Sequence, residues 1–566
     1  MLQVQQRPLI TDITLFSQVP TFLAQILARR GVASTQELEL KLKFLLQPEL
    51  KGIEQAVEII HQAVEQNKKI VIVGDYDADG ATSTALMMLS LRAIGANVQY
   101  IVPDRFKYGY GLTPVIAELA YHSYQPDLLI TVDNGISSHE GVAKAQQLNM
   151  QVVITDHHLT TKATPQAEAV VNPNQLGCQF ASKSLAGVGV AFYVLAKLMR
   201  YRQQQHKSFI NLTQYLDLVA LGTYADVASL DYNNRILVNE GLKRVQQRQC
   251  RLGILALLEV AQHQAEKVQA QDFGFVIGPR LNAAGRMDNM KIGIECLLAE
   301  DWQTAYELAS QLNQLNVQRR QVENEMKQQA LQEIEQLQLN EQEMPLALVM
   351  FDEQWHQGVI GIVAGRLKEM YHRPSIVFAP DLNAQLIKGS ARSVEGIHIR
   401  DMIERVAEQH PHLVKYFGGH AAAAGLTIEK QYFEEFKQVF CQLMETQPAE
   451  LFQAKLWTDG ELSPEDFHLS TVDWINYLAP WGHKFPAPIF EGHFRVVDFR
   501  WLKEKHLKLF LALDNGQMVE AIAFNASDKW EFDAEKSQVF LVYELEKNEF
   551  NGNVNLQLRV QYLRSI

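Results

Sequence analysis

The sequence predicts a multidomain α/β protein: a parallel-sheet domain, a long connector helix, a second α/β domain and a small C-terminal β-barrel. Apolar strand candidates alternate with helical patterns in the first half of the chain, and five short strand candidates lie close together near its end. A length of 566 residues favours about three to four domains. A hydrophobic content of 47% is typical of globular proteins and excludes wholesale disorder.

The first sheet is predicted from a regular strand–helix alternation that follows a helical, amphipathic segment over residues 1–66. Alternation of this kind is typical of a mostly parallel sheet with helices on both faces. Helical patterns over about 185–265 complete the domain, for which we predict the range 67–298. The strand candidates are Ile70–Val73, Val98–Val102, Leu128–Val132 and Val152–Thr155.

Residues 299–342 are predicted to form the connector helix, because apolar side chains recur there at helical spacing and neither Pro nor Gly interrupts them. Residues 343–452 form the second α/β domain, with strand candidates at Leu346–Phe351 and Ser375–Ala379. The strand-rich range 453–566 is typical of the OB-fold barrel. Its five strand candidates are His493–Trp501, Leu507–Leu513, Val519–Phe524, Val539–Leu545 and Val554–Val560.

Composition excludes several classes of protein. With 52 Lys and Arg against 65 Asp and Glu, the net charge of −13 excludes a general polycation that coats nucleic acid. The four cysteines are widely spaced and form no CxxC pair, which disfavours a cysteine zinc site and favours a reducing cytoplasm. The N-terminus lacks the pattern of a signal peptide, and the apolar run Ser184–Met199 is too short to span a bilayer. We therefore expect a cytoplasmic protein without a membrane segment.

Acidic and histidine side chains follow three of the predicted strands directly. The carboxyl ends of parallel strands meet at one edge of a sheet, where ligands bind. Five carboxylates gathered there repel one another unless a cation offsets their charge. Oxygen ligands with imidazole suit Mn²⁺ or Mg²⁺. The residues are Asp75, Asp77, Asp79, Asp133, Asp156, His157 and His158.

Single acidic loops, taken by themselves, allow other interpretations. The D-x-D-x-D-G pattern from Asp75 begins like a calcium loop, but its twelfth residue is Leu86 instead of Glu, so we reject that interpretation. The loop that contains Asp77 and Asp79 resembles the catalytic loop of aspartyl-phosphate phosphatases of the haloacid dehalogenase type. This interpretation remains open for this loop alone. Asp133-Asn134-Gly135, taken alone, is better explained as a solvated turn.

Several longer segments carry a resemblance to a known family. These are GDYDADGATS, TVDNGIS, ITDHH, GTYADVASL, GPRLNAAGRMDN, WHQGVIGIVAGRL, GSARS and FGGHAAAAG. Together they resemble the DHH phosphoesterase superfamily, and within it the bacterial single-strand-specific DNA exonucleases. The resemblance runs from about residue 65 to 430 and continues in domain order. It implies a DHH catalytic domain, a DHH-associated substrate domain and a nucleic-acid-binding OB-like domain.

The resemblance also implies two divalent metal ions, Mn²⁺ or Mg²⁺. Asp77 would bind the first ion and Asp79 the second, while Asp133 would bridge both. His157 and Asp226 would complete the second site.

The remaining residues of the motifs receive supporting roles from the same resemblance. Asp75 would lie close to the metals as a further ligand. His158 would donate a hydrogen bond to the phosphate, and Asp156 would hold a neighbouring histidine by its second ring nitrogen. We therefore predict Asp133, Asp156 and His158 as catalytic residues.

Phosphate-binding residues are predicted in both α/β domains, because Arg is suited to bidentate phosphate contacts. A structural salt bridge is the alternative for Arg280 and Arg392, and an ordinary turn for the glycines. We expect the four alanines after His420 to begin a tightly packed helix. The predicted substrate-binding residues are Arg105, Arg280, Asn282, Arg286, Ser390, Arg392, Gly418, Gly419 and His420.

A DNA-binding hairpin is predicted in the C-terminal domain, although residues 456–566 hold 11 Lys and Arg against 17 Asp and Glu. Basic residues mixed with aromatic residues suit single strands, which offer backbone charge and stackable bases. Phe494 and Phe499 are equally well explained as core residues. The predicted DNA-binding residues are Arg500, Trp501, Lys503, Lys505 and Lys508.

The function implied is a single-strand-specific 5′→3′ DNA exonuclease that hydrolyses phosphodiesters by a two-metal mechanism and releases 5′-mononucleotides in repair and recombination. The implied partners are single-stranded DNA, single-strand-binding protein and a DNA helicase, and we expect a monomer. One alternative is a DHH phosphoesterase acting on oligoribonucleotides or small nucleotides. Another is a non-catalytic replication or repair scaffold, which the complete set of acids and histidines disfavours.

Overall fold

The computed structural model describes residues 2–108, 111–160, 163–336, 344–550 and 552–566. The chain divides into two compact units. The first consists of residues 1–3, 283–289 and 311–456, and the second of residues 4–282, 290–310 and 457–566.

The N-terminal segment is only partly helical. Strand β1 (Gln3–Gln6) and helices α1 (Thr21–Arg29) and α2 (Ile53–Glu65) are joined by short 3₁₀-helices and irregular chain. Both α-helices have a buried apolar face, in α1 including Leu23 and Ile26, which is the pattern that predicted them. The prediction of a helical segment throughout was therefore wrong for the chain between them.

A parallel sheet follows, as predicted, with a fifth strand, Ala169–Val171, in addition to the four strands predicted from the sequence. The elements are β2 (Lys69–Val73), α3 (Ala78–Ala93), β3 (Asn97–Ile101), α4 (Arg105–Tyr108), α5 (Pro114–Tyr124), β4 (Leu128–Val132), α6 (His139–Gln147), β5 (Gln151–Thr155) and β6 (Ala169–Val171). The strand order is β3-β2-β4-β5-β6, and all neighbours are parallel. Strands β2, β4 and β5 are almost entirely buried, which fits a sheet covered on both faces.

The order of the strands reverses at the centre of this sheet. Strand β3 lies on one side of β2, and β4, the next strand in the chain, lies on the other. The loops that leave the carboxyl ends of β2 and β4 therefore diverge. A crevice at such a reversal is the usual ligand site of an open α/β sheet.

Helices occupy the next part of the chain, as predicted for 185–265. They are α7 (Gly187–Gln204), α8 (Leu216–Ala225), α9 (Tyr232–Gln246), α10 (Leu252–Val260), α11 (Ala270–Asp272), a π-helix (Phe273–Ile277), α12 (Gly278–Met287), α13 (Lys291–Leu298) and α14 (Trp302–Gln336). The apolar run Ser184–Met199 is the buried start of α7. In the described part of the chain, no helix is both long and apolar enough to cross a membrane.

Helix α14 confirms the predicted connector helix over 35 residues, a length of about 52 Å. It begins three residues later than the predicted start at 299. The predicted end at 342 lies outside the described residues.

The second α/β domain contains a mixed sheet. Its elements are β7 (Leu348–Phe351), α15 (Ile360–Tyr371), β8 (Ser375–Pro380), β9 (Leu386–Arg392), α16 (Ile399–Gln409), β10 (Tyr416–Gly419), β11 (Ala423–Glu429) and α17 (Phe433–Glu445). The order is β10-β11-β9-β8-β7. Only β7 and β8 pair in parallel among these strands.

The helix predicted after His420 was wrong. The alanine run enters β11, where Ala424 pairs with Ala391 of β9. Alanine has high helix propensity, but here pairing of β11 with β9 and β10 outweighs the local preference.

The C-terminal part confirms the predicted five-stranded barrel, which is closed. Its elements are β12 (Lys455–Thr458), α18 (Leu469–Tyr477), β13 (Phe490–Leu502), β14 (His506–Ala512), β15 (Met518–Ala523), β16 (Gln538–Phe550) and β17 (Asn553–Ser565). All pairs in the barrel are antiparallel except β15 with β17. Leu507, Leu509 and Leu511 alternate into its core, as the two-residue period of a strand requires.

A buried ion pair joins the N-terminal segment to the start of the C-terminal part. Arg30 and Asp459 are each 1% exposed. The Arg30 Nη2 lies 2.8 Å from Asp459 Oδ2, which also accepts the Ile489 N–H at 3.0 Å. Removing one member of a buried pair leaves the other charge without compensation.

We therefore predict that Asp459→Ala lowers the free energy of unfolding by about 3–5 kcal/mol, measured by urea denaturation. Glu39→Ala, which breaks the exposed pair between Lys41 and Glu39, should cost less than about 1 kcal/mol. Equal effects of the two substitutions would contradict the importance of the buried pair.

Candidate metal centre

The first acidic loop is shaped by the start of α3. The Asp77 carboxylate caps the helix by accepting the Gly80 N–H at 2.9 Å. Asp79, in the first turn, is 1% exposed and accepts the N–H groups of Gly187 at 2.6 Å and Val188 at 2.9 Å. These two amides begin α7, so a second helix N-terminus stabilises the Asp79 carboxylate.

The second loop places Asp133 beside the first. Asp133 has a left-handed backbone with φ of 62°, and its N–H donates to the Thr155 carbonyl at 3.0 Å. The neighbouring Asn134 amide donates to the Val73 and Val132 carbonyls. A Cβ at Gly187 would lie 2.5 Å from the Asp133 Cβ, so only glycine permits this approach of α7 to Asp133.

The third loop is organised by Asp156. Its carboxylate accepts the N–H groups of Ile136 at 2.8 Å, His157 at 2.7 Å and His158 at 3.0 Å. The same carboxylate lies 2.7 Å from His158 Nδ1. Asp156 therefore holds the loop and orients the His158 ring, so the neighbouring histidine that it contacts is His158.

The three loops bring the predicted metal ligands together. His157 Nε2 lies 3.1 Å from Asp133 Oδ1 and 3.9 Å from Asp79 Oδ2, while its Nδ1 lies 3.9 Å from Asp226 Oδ2. Three groups have potential ligand atoms within 4.8 Å of one another: Asp75, Asp77 and Asp133; Asp79, His157 and Asp226; and Asp133, His157 and His158.

The electrostatics of this cluster fit divalent cations. Burial, followed by the charges of Asp79 and Asp77, raises the pKa of Asp133 well above its ordinary value. Burial and Asp77 raise the pKa of Asp79 to about 7, and burial and Asp79 raise the pKa of Asp226. These carboxylates resist ionising together without a cation. Oxygen donors with one imidazole form the ligand set that Mn²⁺ and Mg²⁺ accept.

Asp156 favours the protonated form of His158. Burial lowers the His158 pKa, but the hydrogen bond and charge of Asp156 outweigh burial and raise the pKa to about 9. Burial raises the pKa of Asp156, but the hydrogen bond from His158 brings it below its ordinary value. At neutral pH His158 is therefore a cation that can donate a hydrogen bond to a phosphate oxygen.

The second α/β domain brings its predicted substrate residues onto adjacent strands. Ser390 of β9 pairs with Gly425, which pairs with Gly418. Arg392 Nη1 donates to Ser390 Oγ at 3.0 Å. A Cβ at Gly361, in the first turn of α15, would lie 2.8 Å from Arg392 Nη2, so the guanidinium covers this helix N-terminus.

The three predicted substrate residues on α12 each make a hydrogen bond to a backbone group. Arg280 Nη1 donates to the Val276 carbonyl at 2.6 Å, and Arg286 Nη1 to the Gly358 carbonyl at 3.3 Å. Asn282 Oδ1 accepts the Ala78 N–H at 2.8 Å, so this side chain also shapes the first acidic loop. Two further residues are placed only in outline: His420 is exposed, and Arg105 lies on α4 with its side chain outside the described part of the structure.

The predicted hairpin in the barrel is exposed. Arg500 pairs with Lys508 and Trp501 with Leu507 across β13 and β14. Lys503 lies in the turn and has a φ of 53°. Lys505 Nζ lies 3.5 Å from Asp528 Oδ2, and Lys508 Nζ lies 2.8 Å from Glu520 Oε2. Of the two aromatics left open, Phe494 is in the core, whereas Phe499 is 36% exposed.

Several supporting residues were missed by sequence reasoning. Gly187 and Val188 bind Asp79 through their amides, which side-chain patterns do not reveal. Asn172 and Asn174 donate to the carbonyls of His158 and His157. The N-P-N pattern at these positions is typical of a loop and does not by itself indicate contacts with the histidines.

Models of three protein families match successive parts of the chain. The DHH family N-terminal domain matches residues 69–223, the DHHA1 domain matches 343–446 and the RecJ OB domain matches 458–562. Fold and site together define a phosphoesterase of the DHH class with an added OB domain.

Full-length relatives give a narrower assignment. The single-stranded-DNA-specific exonuclease RecJ of Haemophilus influenzae is 48% identical over 554 residues, covering 96% of each chain. The crystal structure of RecJ in complex with Mn²⁺ from Thermus thermophilus has a TM-score of 0.84 at 28% identity and covers 100% of this chain and 79% of that one. Its Mg²⁺ complex has a TM-score of 0.78 at 27% identity, with 100% and 78% covered. The chain belongs to the RecJ family of single-stranded-DNA-specific exonucleases.

Crowding of the acids predicts opposite effects of Asp133→Asn with and without metal. In metal-free protein we expect the substitution to raise the melting temperature by about 2–4 °C, because it removes one repelling carboxylate at a gain of roughly 1 kcal/mol. Wild-type protein should gain about 2.7 kcal/mol from Mn²⁺ at a hundred times its dissociation constant, and the variant should lose most of this gain.

Thermal unfolding in chelator and in Mn²⁺ measures both effects. Asp514→Asn removes an exposed carboxylate of the barrel and should change neither. A full Mn²⁺ stabilisation in Asp133→Asn would exclude Asp133 as a ligand.

Proposed function

We propose that the protein is a single-strand-specific DNA exonuclease that uses two divalent ions, Mn²⁺ or Mg²⁺, to release 5′-mononucleotides from the 5′ end. The observation that carries this proposal is the convergence of acids and histidines from three strand ends on one crevice of the parallel sheet. Membership of the RecJ family supports the substrate, because its members are named for single-stranded DNA.

The metal ligands divide between two positions that share one residue. Asp75, Asp77 and Asp133 would hold the first ion, and Asp79, His157 and Asp226 the second, with Asp133 close to both groups. When bound, two such ions activate a water for in-line attack and offset the charge that develops on the phosphoryl oxygens. No nucleophilic side chain is required, so hydrolysis proceeds without a covalent intermediate.

The surrounding residues hold the ligands and the substrate. The α7 amides fix Asp79, and Asp156 keeps His158 protonated and oriented. His158 can then donate a hydrogen bond to a phosphate oxygen, where negative charge increases in the transition state.

Recognition of the DNA end is assigned to the second α/β domain. Ser390 and Arg392 lie on β9 and offer a hydroxyl and a guanidinium. Strand β9 pairs with β11 of the β10–β11 hairpin, which contains Gly418 and Gly419 and has His420 in its turn. A guanidinium at a helix N-terminus with nearby backbone amides is suited to a terminal phosphate. Arg105, Arg280 and Arg286 are further candidates for contacts with the DNA backbone.

A role in repair and recombination, with single-strand-binding protein and a helicase as partners, follows from the same proposal. The exonuclease can act only on strands already separated, so an unwinding activity supplies its substrate. We expect the chain to act as a monomer.

The decisive experiment uses single-stranded DNA labelled at either end, with Mn²⁺, Mg²⁺ or chelator. We expect metal-dependent release of mononucleotides from the 5′ end and little digestion of blunt duplex. Asp133→Ala should reduce the rate at least about 10³-fold, because it removes the ligand common to both metal positions. Digestion of small nucleotides alone would favour the alternative DHH activity, and activity retained in Asp133→Ala would refute the metal assignment.

A second experiment tests the barrel hairpin. Trp501 is 38% exposed, and Trp474 on α18 is 39% exposed, which makes the two a matched pair. Loss of one stacked base is worth about 1–3 kcal/mol, so Trp501→Ala should weaken binding of single-stranded DNA by about 5- to 150-fold. Trp474→Ala should leave the affinity unchanged in fluorescence anisotropy, and equal losses would refute a specific role for the hairpin.

A further inference from the structure

The proposed metal ligand Asp226 lies on a strained turn. It ends α8, and the next residue, Val227, has φ of 58°. A β-branched residue in the left-handed region is unfavourable by about 1–3 kcal/mol and persists only where surrounding contacts hold it. Val227 is 63% exposed, so burial of its own side chain does not supply those contacts.

The contacts come from a segment near the barrel, Trp481–Phe485, here called the WGHKF segment. The Tyr224 hydroxyl, two residues before Asp226, donates to the Trp481 carbonyl at 2.9 Å. The Leu230 N–H donates to the His483 carbonyl at 2.9 Å. The segment therefore binds the turn on both sides of Asp226.

The His483 side chain contacts the turn itself. Its Nδ1 lies 3.4 Å from Ser229 Oγ. Burial and the charge of Lys484 lower the pKa of His483 below its ordinary value.

Close contacts at two glycines pack the WGHKF segment and its surroundings against the turn. A Cβ at Gly482 would lie 2.7 Å from Leu230 Cδ1 and 3.3 Å from Tyr224 Cε2. On the other side of the same ring, a Cβ at Gly274 would lie 3.0 Å from Tyr224 Cδ1. Tyr224 is therefore fixed between two glycines, one from each side.

The WGHKF segment is itself anchored to the catalytic domain. The rings of Trp481 and Phe485 stack at 5.0 Å with an interplanar angle of 13°. The Arg235 guanidinium, on α9, lies 4.0 Å from the Phe485 ring centre and is 2% exposed. A buried guanidinium on an aromatic face gives a contact of defined geometry.

We infer that the WGHKF segment is a positioning element for the metal site: it fixes the α8–α9 turn so that Asp226 meets Asp79 and His157. This inference rests on the metal role proposed above for Asp226. It makes Tyr224 and His483 positioning residues, which act on the metal through the turn. It also connects the segment that leads into the barrel with the second metal position.

The test is Mn²⁺ binding to metal-free protein, measured by electron paramagnetic resonance of the free ion without DNA. We expect two classes of site in the wild type. Tyr224→Phe with His483→Ala should weaken one class by about tenfold, the lower end of the range for residues that orient metal ligands, and leave the other unchanged. Tyr477→Phe removes an exposed hydroxyl outside the WGHKF segment and should change neither class.

A second readout separates positioning from general stability. On a short oligonucleotide, the double variant should need about tenfold more Mn²⁺ for half-maximal rate and reach the wild-type rate at saturating Mn²⁺. A lower rate at saturation with an unchanged Mn²⁺ requirement would show a merely structural role and overturn the inference. Tyr224→Phe alone removes only one oxygen atom, so a foldable variant is available if the double variant unfolds.

Asp226→Ala distinguishes failure of the inference from failure of the metal assignment. If Asp226→Ala abolishes one Mn²⁺ class while the double variant binds within twofold of wild type, the positioning role is wrong and the metal role stands. If Asp226→Ala also binds both classes normally, the assignment of Asp226 is wrong, and the inference with it.

Discussion

Repulsion among buried carboxylates is the constraint on which the rest of the catalytic domain depends. Asp79 and Asp133 are almost fully buried, and burial together with neighbouring charge raises the pKa of each. Such a cluster persists only where other groups compensate the buried charge. The α7 amides, the cap at the start of α3 and the cations proposed for the site are those compensations.

This constraint explains why ordinary features of the sheet are placed where they are. The strand order reverses between β2 and β4, so their loops diverge and leave room for ions and a phosphodiester. Gly187 lets the start of α7 approach Asp133, which positions its amides on Asp79. The left-handed backbone of Asp133 turns its carboxylate toward the same point. A metal site of this kind lowers the stability of the folded protein, because strain and repulsion are concentrated in a few loops.

The modules outside the sheet serve different parts of the proposed reaction. The hairpin of the DHHA1 domain combines glycine backbone with Ser390 and Arg392, a combination suited to a terminal phosphate. The barrel exposes Trp501 and basic side chains, although its net charge is negative. Local placement of charge, rather than net charge, therefore determines where an acidic chain can bind nucleic acid.

The sequence alone determined the fold class, four of the five strands of the first sheet, the barrel and the identity of the acidic loops. Each of these depends on local patterns: buried apolar runs, strand alternation, and polar residues directly after strands. The candidate ligands in the three acidic loops could be named because the carboxyl ends of parallel strands meet at one edge of a sheet, whereas Asp226 was a candidate only through the family resemblance. The motifs around them, such as ITDHH, added the family and its substrate.

Tertiary structure decided what depends on pairing partners distant in the chain. Ala423 and Ala424 lie in β11 because pairing with β9 and β10 outweighs their helix propensity. Asp79 is held by backbone amides of α7 more than a hundred residues away, and no side-chain pattern encodes an amide contact. The contact between Tyr224 and Trp481 spans a still longer separation. Local sequence fixes which groups are available, but only packing selects which of them meet.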